Sequence, residues 1–212
     1  MPQGSILGPL LFIIYINDII KDLTDCVVVM YADDIQIIHK GKLSEIDKII
    51  KNTETNLNLL QLQYSHLGLK INPSKTQCMF IGSPFLINKI NSNLFVNFDG
   101  HQIGFSDCIK ILGIIFDKYM SFENHVRDLC KKTKSTLIYI QRMQHKLDRV
   151  TRTMIVDSLV ISKLNYCSLI WGKCNNSLIK EVQTVQNFAA KVAWGGGRKN
   201  DHATPFRNKL NW

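Results

Sequence analysis

No apolar run in the sequence is long enough to cross a membrane: the longest, LLFIIYI at residues 10–16, falls far short of the roughly 18 to 20 residues a spanning helix needs. No basic segment leads into a long apolar stretch with a small-residue cleavage site, so nothing addresses the chain for secretion. The six cysteines, Cys26, Cys78, Cys108, Cys130, Cys167 and Cys174, include no CxxC pair and no compact Cys/His spacing of the zinc type. That argues against disulfides and zinc and for a reduced, intracellular setting, cytoplasmic or nuclear. His39, His66, His101, His125, His145 and His202 show no ligand spacing either. With 5 Pro and 12 Gly the chain is not collagenous, and at 45% apolar it is too hydrophobic to be disordered. Its 212 residues allow one large domain, or one domain with an appendage.

Acidic side chains are also scarce, 17 against 26 Lys and Arg, for a formal charge of +9. A surplus of that size suggests an anionic partner. It is unevenly placed: residues 1–118 hold 10 basic and 11 acidic side chains, a balance of −1, while residues 119–212 hold 16 and 6, a balance of +10. One near-neutral and one basic part reads as chemistry in the first and a grip on a polyanion in the second.

The patterning divides at the same place. Residues 1–9, MPQGSILGP, form a Pro/Gly-rich loop before LLFIIYINDII, and Pro9 fits only a first helical turn because it lacks an N–H. The helix predicted over 10–20 is apolar nearly all round, which implies burial on several sides. In CVVVMYADDIQIIH, β-branched runs at 26–31 and 35–39 flank Ala32, Asp33 and Asp34; this reads as a hairpin with both carboxylates at its bend. Apolar positions at steps of three and four from Leu43 to Leu67 predict an amphipathic helix, with Ser44 and Asp47 as a capping box and Gly68 as its stop. GLKINPSKTQCMFIG reads as strand, turn and strand, Asp99-Gly100 as a hairpin turn, and residues 108–117 as one more strand. From Ser121 the period is helical, with helices over 122–147, 151–171 and 178–194. The expected fold class is α+β, with one domain over 1–118 and an all-helical, basic one over 119–212.

Adjacent carboxylates at a hairpin tip suit a divalent cation, because two fixed negative groups are costly side by side unless a cation bridges them. Magnesium suits best, being a hard ion that takes one or two carboxylates and completes its shell with water and phosphates. Taken alone, Asp-Asp in a bend is also ordinary turn chemistry. The order of the motifs narrows the choice. PQGSILGP, YADD, GLKINPSKT and ILGIIFD, in that succession, resemble the reverse transcriptases, and YADD resembles the form found in non-LTR (LINE-type, jockey-like) retrotransposons. SLVISKLNYCSLIWG, IKEVQTVQNFAAKVAWG and HATPFRNKLNW resemble the segments that follow the polymerase palm in such elements, so the likeness covers essentially the whole chain.

The resemblance implies a partial polymerase palm of antiparallel hairpins and packed helices, followed by a helical thumb. The implied activity is RNA-directed DNA polymerisation on an RNA template and DNA primer with a dNTP, through two Mg2+ ions. Asp33 would be the leading metal ligand and Asp34 the supporting one, with Tyr31 near the primer end. Pro2, Gln3, Gly4 and Ser5 would lie over the template base and incoming nucleotide, Lys75 near the nucleotide phosphates, and Leu112 and Gly113 at the primer grip. On the residues alone, the Pro-Gln-Gly-Ser loop reads first as a turn leading into a helix, and Lys75 equally as a solvated lysine. Arg127, Lys131, Lys132, Lys134, Arg142 and Lys146, against only Glu123 and Asp128 on the same predicted helix, suit a nucleic-acid backbone or a solvated face.

The family's third metal-binding aspartate lies in a motif that precedes the PQG loop, and this sequence opens one residue before that loop. The expectation is therefore a fragment, inactive by itself, whose YADD strands keep an unpaired edge open to self-association. The alternative is a catalytically inactive nucleic-acid-binding remnant. A module that binds protein through the 43–67 helix is a third reading.

Overall fold

The computed structural model describes residues 5–91, 93–195, 202–210 and 212. By contact the chain separates into two compact units, Met1–Asp107 and Cys108–Trp212. Helices mixed with small antiparallel hairpins make the class α+β.

In the first unit, α1 (Gly8–Ile16) carries Pro9 in its opening turn, and the Ser5 hydroxyl accepts the Gly8 N–H at 3.1 Å. Only Ile16 of this helix is buried, while Leu10 and Ile14 are 55% and 64% exposed. The expected burial on several sides is thus not met inside the unit, which covers one edge of a helix that has no polar face. After a 3₁₀ turn at Asn17–Ile20, β1 (Val27–Tyr31) and β2 (Asp34–Ile38) pair antiparallel. Their inner face presents Met30, Ile35 and Ile37 to Ile16, Ile19 and Leu60. α2 (Ile46–His66) follows a 3₁₀ turn at Leu43–Glu45, whose start is closed by the Lys42 N–H donating to Glu45 Oε2 at 2.9 Å. Lys42 and Glu45 thus fill the box that the pattern placed at Ser44 and Asp47.

The strands expected on either side of residues 72–75 do not form a ladder. Pro73–Lys75 is a 3₁₀ turn, and Cys78 makes a single bridge to Phe105. A short α3 (Pro84–Ile87) precedes β3 (Phe95–Phe98) and β4 (His101–Gly104). The turn between them has φ 47° at Asp99 and 75° at Gly100, the geometry that favours Asp-Gly in two-residue hairpins. Val96, Phe98 and Ile103 pack on Leu57 of α2.

The second unit opens with β5 (Cys108–Ile111) and β6 (Ile114–Asp117), a hairpin where the sequence suggested one strand. Leu112 and Gly113 both have positive φ and fold the run back on itself. The Asp117 carboxylate accepts the N–H groups of Tyr119, Ser121 and Phe122 at 2.7 to 3.1 Å, fixing the turn into α4 (Glu123–Arg142). Burial alone would raise the Asp117 carboxyl, but these donors outweigh it and hold the group below the usual carboxylate value.

The single helix expected over 151–171 is broken into α5 (Arg149–Val156), a π-turn at Asp157–Ile161, α6 (Ser162–Asn165) and α7 (Ser168–Trp171). The break falls at Tyr166 and Cys167, the latter with φ 49°. α8 (Asn176–Trp194) is capped by the Asn175 side chain and ends on Gly195, and α9 (Thr204–Leu210) follows the undescribed segment 196–201. Val156, Val160, Leu137, Val185 and Ala189 form the centre of this unit's core. Arg152, only 6% exposed, lies within that unit and donates from Nε to the Ala193 carbonyl and from Nη1 to those of Gln144 and Leu147, at 3.0 to 3.2 Å. It joins the ends of α4 and α8 to α5, and its hydrogen bonds offset the cost of burying a cation.

Candidate active-site hairpin and nucleic-acid surfaces

Only Ala32 and Asp33 separate β1 from β2, whose pairing closes on Tyr31 opposite Asp34. Such a loop needs positive φ at its first residue, and Ala32 has φ 51°. Residues opposite one another share a face of the ribbon, so Tyr31 and Asp34 stand on the outer face with Val29, Gln36, Val27 and Ile38. Both aspartates are exposed, and their charge is open to a cation. Asp33 lies near enough to α2 that its charge, after burial, pushes the Tyr64 hydroxyl above the usual phenol value.

The open end of the hairpin is held from α2. Asn56, 1% exposed, donates from Nδ2 to the Thr24 carbonyl at 2.8 Å and accepts the Thr24 N–H at 3.4 Å. An amide used in both directions can sit in an apolar core at little cost. The His39 ring meets the Asp25 carbonyl at 3.1 Å on the other strand's side. The sequence signal for this anchor was a polar residue inside the apolar stripe of the 43–67 helix.

Pro2, Gln3 and Gly4 lie outside the described residues. Ser5 is engaged in the first turn of α1. Lys75 is exposed at the end of its 3₁₀ turn, which Asn72 fixes by accepting the Ser74 N–H and hydroxyl at 3.0 and 2.6 Å. The preceding Leu69 and Ile71 share the core beneath the hairpin, so Lys75 and the acid pair are built on one unit. Among the described residues no three His, Cys, Asp or Glu converge as a metal site. Asp33 and Asp34 have the hard oxygen chemistry that a divalent ion such as magnesium takes, and they supply two carboxylates.

Leu112 and Gly113 form the loop of β5–β6 in the second unit. On α4, Arg127, Lys131, Lys134 and Arg142 fall on one stripe by helical spacing, with Lys132 off its edge and Lys146 beyond the helix in a 3₁₀ turn; all six are exposed. Arg127 pairs with Glu123 and Lys132 with Asp128, both at 2.6 Å. Such surface pairs are worth about 0 to 1 kcal/mol and give way readily to a phosphate.

The first unit thus carries an exposed acid pair on a hairpin and the second a basic helical face, in a chain of the α+β class. Residues 1–116 match the reverse transcriptase (RNA-dependent DNA polymerase) family, and the chain belongs to it. Over 177 residues it is 22% identical to the retrovirus-related Pol polyprotein from type-1 retrotransposable element R1 2 of Nasonia vitripennis, covering 80% of this chain and 42% of that protein. It is 21% identical to the probable RNA-directed DNA polymerase from transposon X-element of Drosophila melanogaster, over 92% of this chain and 22% of that one. With the RNA-directed DNA polymerase from mobile element jockey of the same fly, it shares 24% over 88% of this chain and 21% of that one. The chain thus spans less than half the length of these relatives. No solved structure matches it. The resemblance drawn from the order of the motifs is therefore a family relationship, with non-LTR elements among the relatives.

Proposed function

We propose that the chain carries the acid hairpin and the thumb of an RNA-directed DNA polymerase of a LINE-type element, acting on an RNA template, a DNA primer and a dNTP. The observation that carries this reading is YADD as an exposed two-residue hairpin, held from α2, in a chain of the reverse transcriptase family. Residues 1–118 take the part of palm and 119–212 that of thumb. Asp33 and Asp34 would hold magnesium, which when bound stabilises the attacking and leaving oxygens of nucleotidyl transfer. Tyr31 then stands at the primer end, Pro2, Gln3, Gly4 and Ser5 over the template base, Lys75 at the nucleotide phosphates, and Leu112 and Gly113 against the primer. Arg127, Lys131, Lys132, Lys134, Arg142 and Lys146 take the duplex backbone.

A second reading is nucleic-acid binding without catalysis, which the exposed basic stripe of α4 supports by itself. Primer extension on an RNA template separates the two. The 212-residue chain is expected to bind the duplex and incorporate nothing, and incorporation that disappears in Asp33→Asn would establish the polymerase in this chain alone. The outer face of β1–β2, with Val27 and Val29 48% and 46% exposed and both outer edges unpaired among the described residues, supports self-association. Light scattering should show mass rising with concentration and falling in Val29→Lys; a concentration-independent monomer refutes it.

A further inference from the structure

We propose that Tyr166 is a positioning residue that holds the Leu112–Gly113 turn in the shape in which it meets the primer, an inference that rests on reading this turn as the primer contact. Two consecutive residues of the turn have positive φ, 46° at Leu112 and 89° at Gly113. A branched L-residue in that region is strained, so the turn needs support from outside the hairpin. Tyr166 supplies it: its hydroxyl donates to the Leu112 carbonyl at 2.8 Å across 54 positions of sequence. Its Cε1 would lie 3.5 Å from a Cβ on Gly113, so the ring lies against the other residue of the turn as well.

The chain is shaped to deliver that ring. A π-turn at Asp157–Ile161 and the left-handed Cys167 bend what would be one helix, and Tyr166 sits at the bend. Its backbone is fixed from within, because the indole N–H of Trp171, 3% exposed, donates to the Tyr166 carbonyl at 3.0 Å. Isolated π-turns are uncommon and recur at functional positions. The result is a strut: a core tryptophan locks the backbone, and the tyrosine, itself 51% exposed, reaches out to brace a surface turn. A tyrosine serving only the core would bury its ring and leave the turn to itself.

The test places a p-benzoylphenylalanine crosslinker at position 112 of the full chain, in otherwise unaltered protein and with Tyr166→Phe. The probes are an RNA–DNA duplex with a recessed DNA 3′ end and the same duplex made blunt. Unaltered protein should crosslink to the last primer nucleotides and prefer the recessed end. Tyr166→Phe should cut that yield and that preference roughly 3- to 10-fold, the range one hydrogen bond accounts for, with blunt-duplex affinity unchanged because α4 sets it. A Tyr166→Phe chain that keeps the crosslink map and the preference overturns the proposal, as does equal loss of affinity for both duplexes, which marks a merely structural role. Absence of a primer crosslink in unaltered protein overturns the primer reading and the proposal with it. Should Tyr166→Phe not fold, Gly113→Ala, which disturbs the turn from its own side, must give the same selective loss.

Discussion

Neutralising Lys131 and Lys134 should change the salt dependence of duplex binding by an amount the structure sets. Both lie on the exposed stripe of α4, and neither has an ion pair among the described residues. Arg127 and Lys132 already face carboxylates at 2.6 Å. From Arg127 to Arg142 the stripe spans 15 helical steps, about 22 Å at 1.5 Å per residue, long enough to follow several phosphates. Each phosphate neutralised on a DNA duplex contributes about −0.9 to the slope of log affinity against log salt. Lys131→Gln with Lys134→Gln should therefore flatten the slope by about 1.8, so that the fall in affinity between 50 and 200 mM salt shrinks about 12-fold. Arg127→Gln with Lys132→Gln should flatten it less, since those cations release fewer counterions. Fluorescence anisotropy with a labelled duplex at four salt concentrations measures both slopes. An unchanged slope in the Lys131/Lys134 variant, or the reverse ranking of the two pairs, refutes the placing of this stripe on the nucleic-acid backbone.

Three further outcomes concern the scaffold. His125, 7% exposed, accepts the Ile115 N–H on Nδ1 at 3.4 Å, and burial, with Lys132 adding and Asp128 opposing, holds it below the ordinary imidazole value of 6.5. The unfolded chain thus takes up the proton first, so stability falls as pH drops through that value and levels off below the folded one; the thermal midpoint should drop between pH 7.5 and 5.5, and less so in His125→Gln. Gly195→Ala places a Cβ at φ 81° onto the Arg152 guanidinium and should cost about 2 to 3 kcal/mol through strain and displaced carbonyl bonds, read from the denaturant midpoint. Asn56→Leu leaves the Thr24 amide and carbonyl without partners, costing about 2 kcal/mol, and hydrogen exchange should quicken in β1–β2 before β3–β4.

Elements with local turn chemistry were legible in the sequence, and those that depend on distant support were not. Asp99-Gly100 announces its own hairpin, and YADD breaks two β-branched runs with polar residues. Leu112-Gly113 was hidden because apolar residues continue on both sides, and a leucine at positive φ is stabilised by a tyrosine 54 positions away. Tyr166 and Cys167 carry neither Gly nor Pro, so the helix break had no local marker. QCMF reads as strand by propensity, yet among the described residues only Cys78 makes a β-bridge, to Phe105. At the site, the aspartates were visible as a pair, while the support of their hairpin, Asn56 on α2, is defined by what the fold brings beneath the strands.

The largest departure, the exposure of α1, is a statement about energy. Leu10, Leu11, Ile13, Ile14 and Tyr15 are 49% to 64% exposed, and on the hairpin Val27, Val29 and Tyr31 are 46% to 64% exposed. Complete burial of a large apolar side chain yields about 1.5 to 3 kcal/mol, so the half left open on these eight amounts to roughly 6 to 12 kcal/mol, comparable with the whole stability of a domain. An all-apolar helix therefore encodes its final surroundings, and the first unit supplies only part of them. On the hairpin this bears on chemistry, because the open apolar residues share a face with Tyr31 and Asp34. Any surface that covers Val27, Val29 and Ile38 arrives beside Asp34, and it then either adds a group to the acid pair or closes the pair off. Burial of that face and the chemistry of the carboxylates are for this reason coupled: whatever covers the outer face of β1–β2 also sets the surroundings of Asp34.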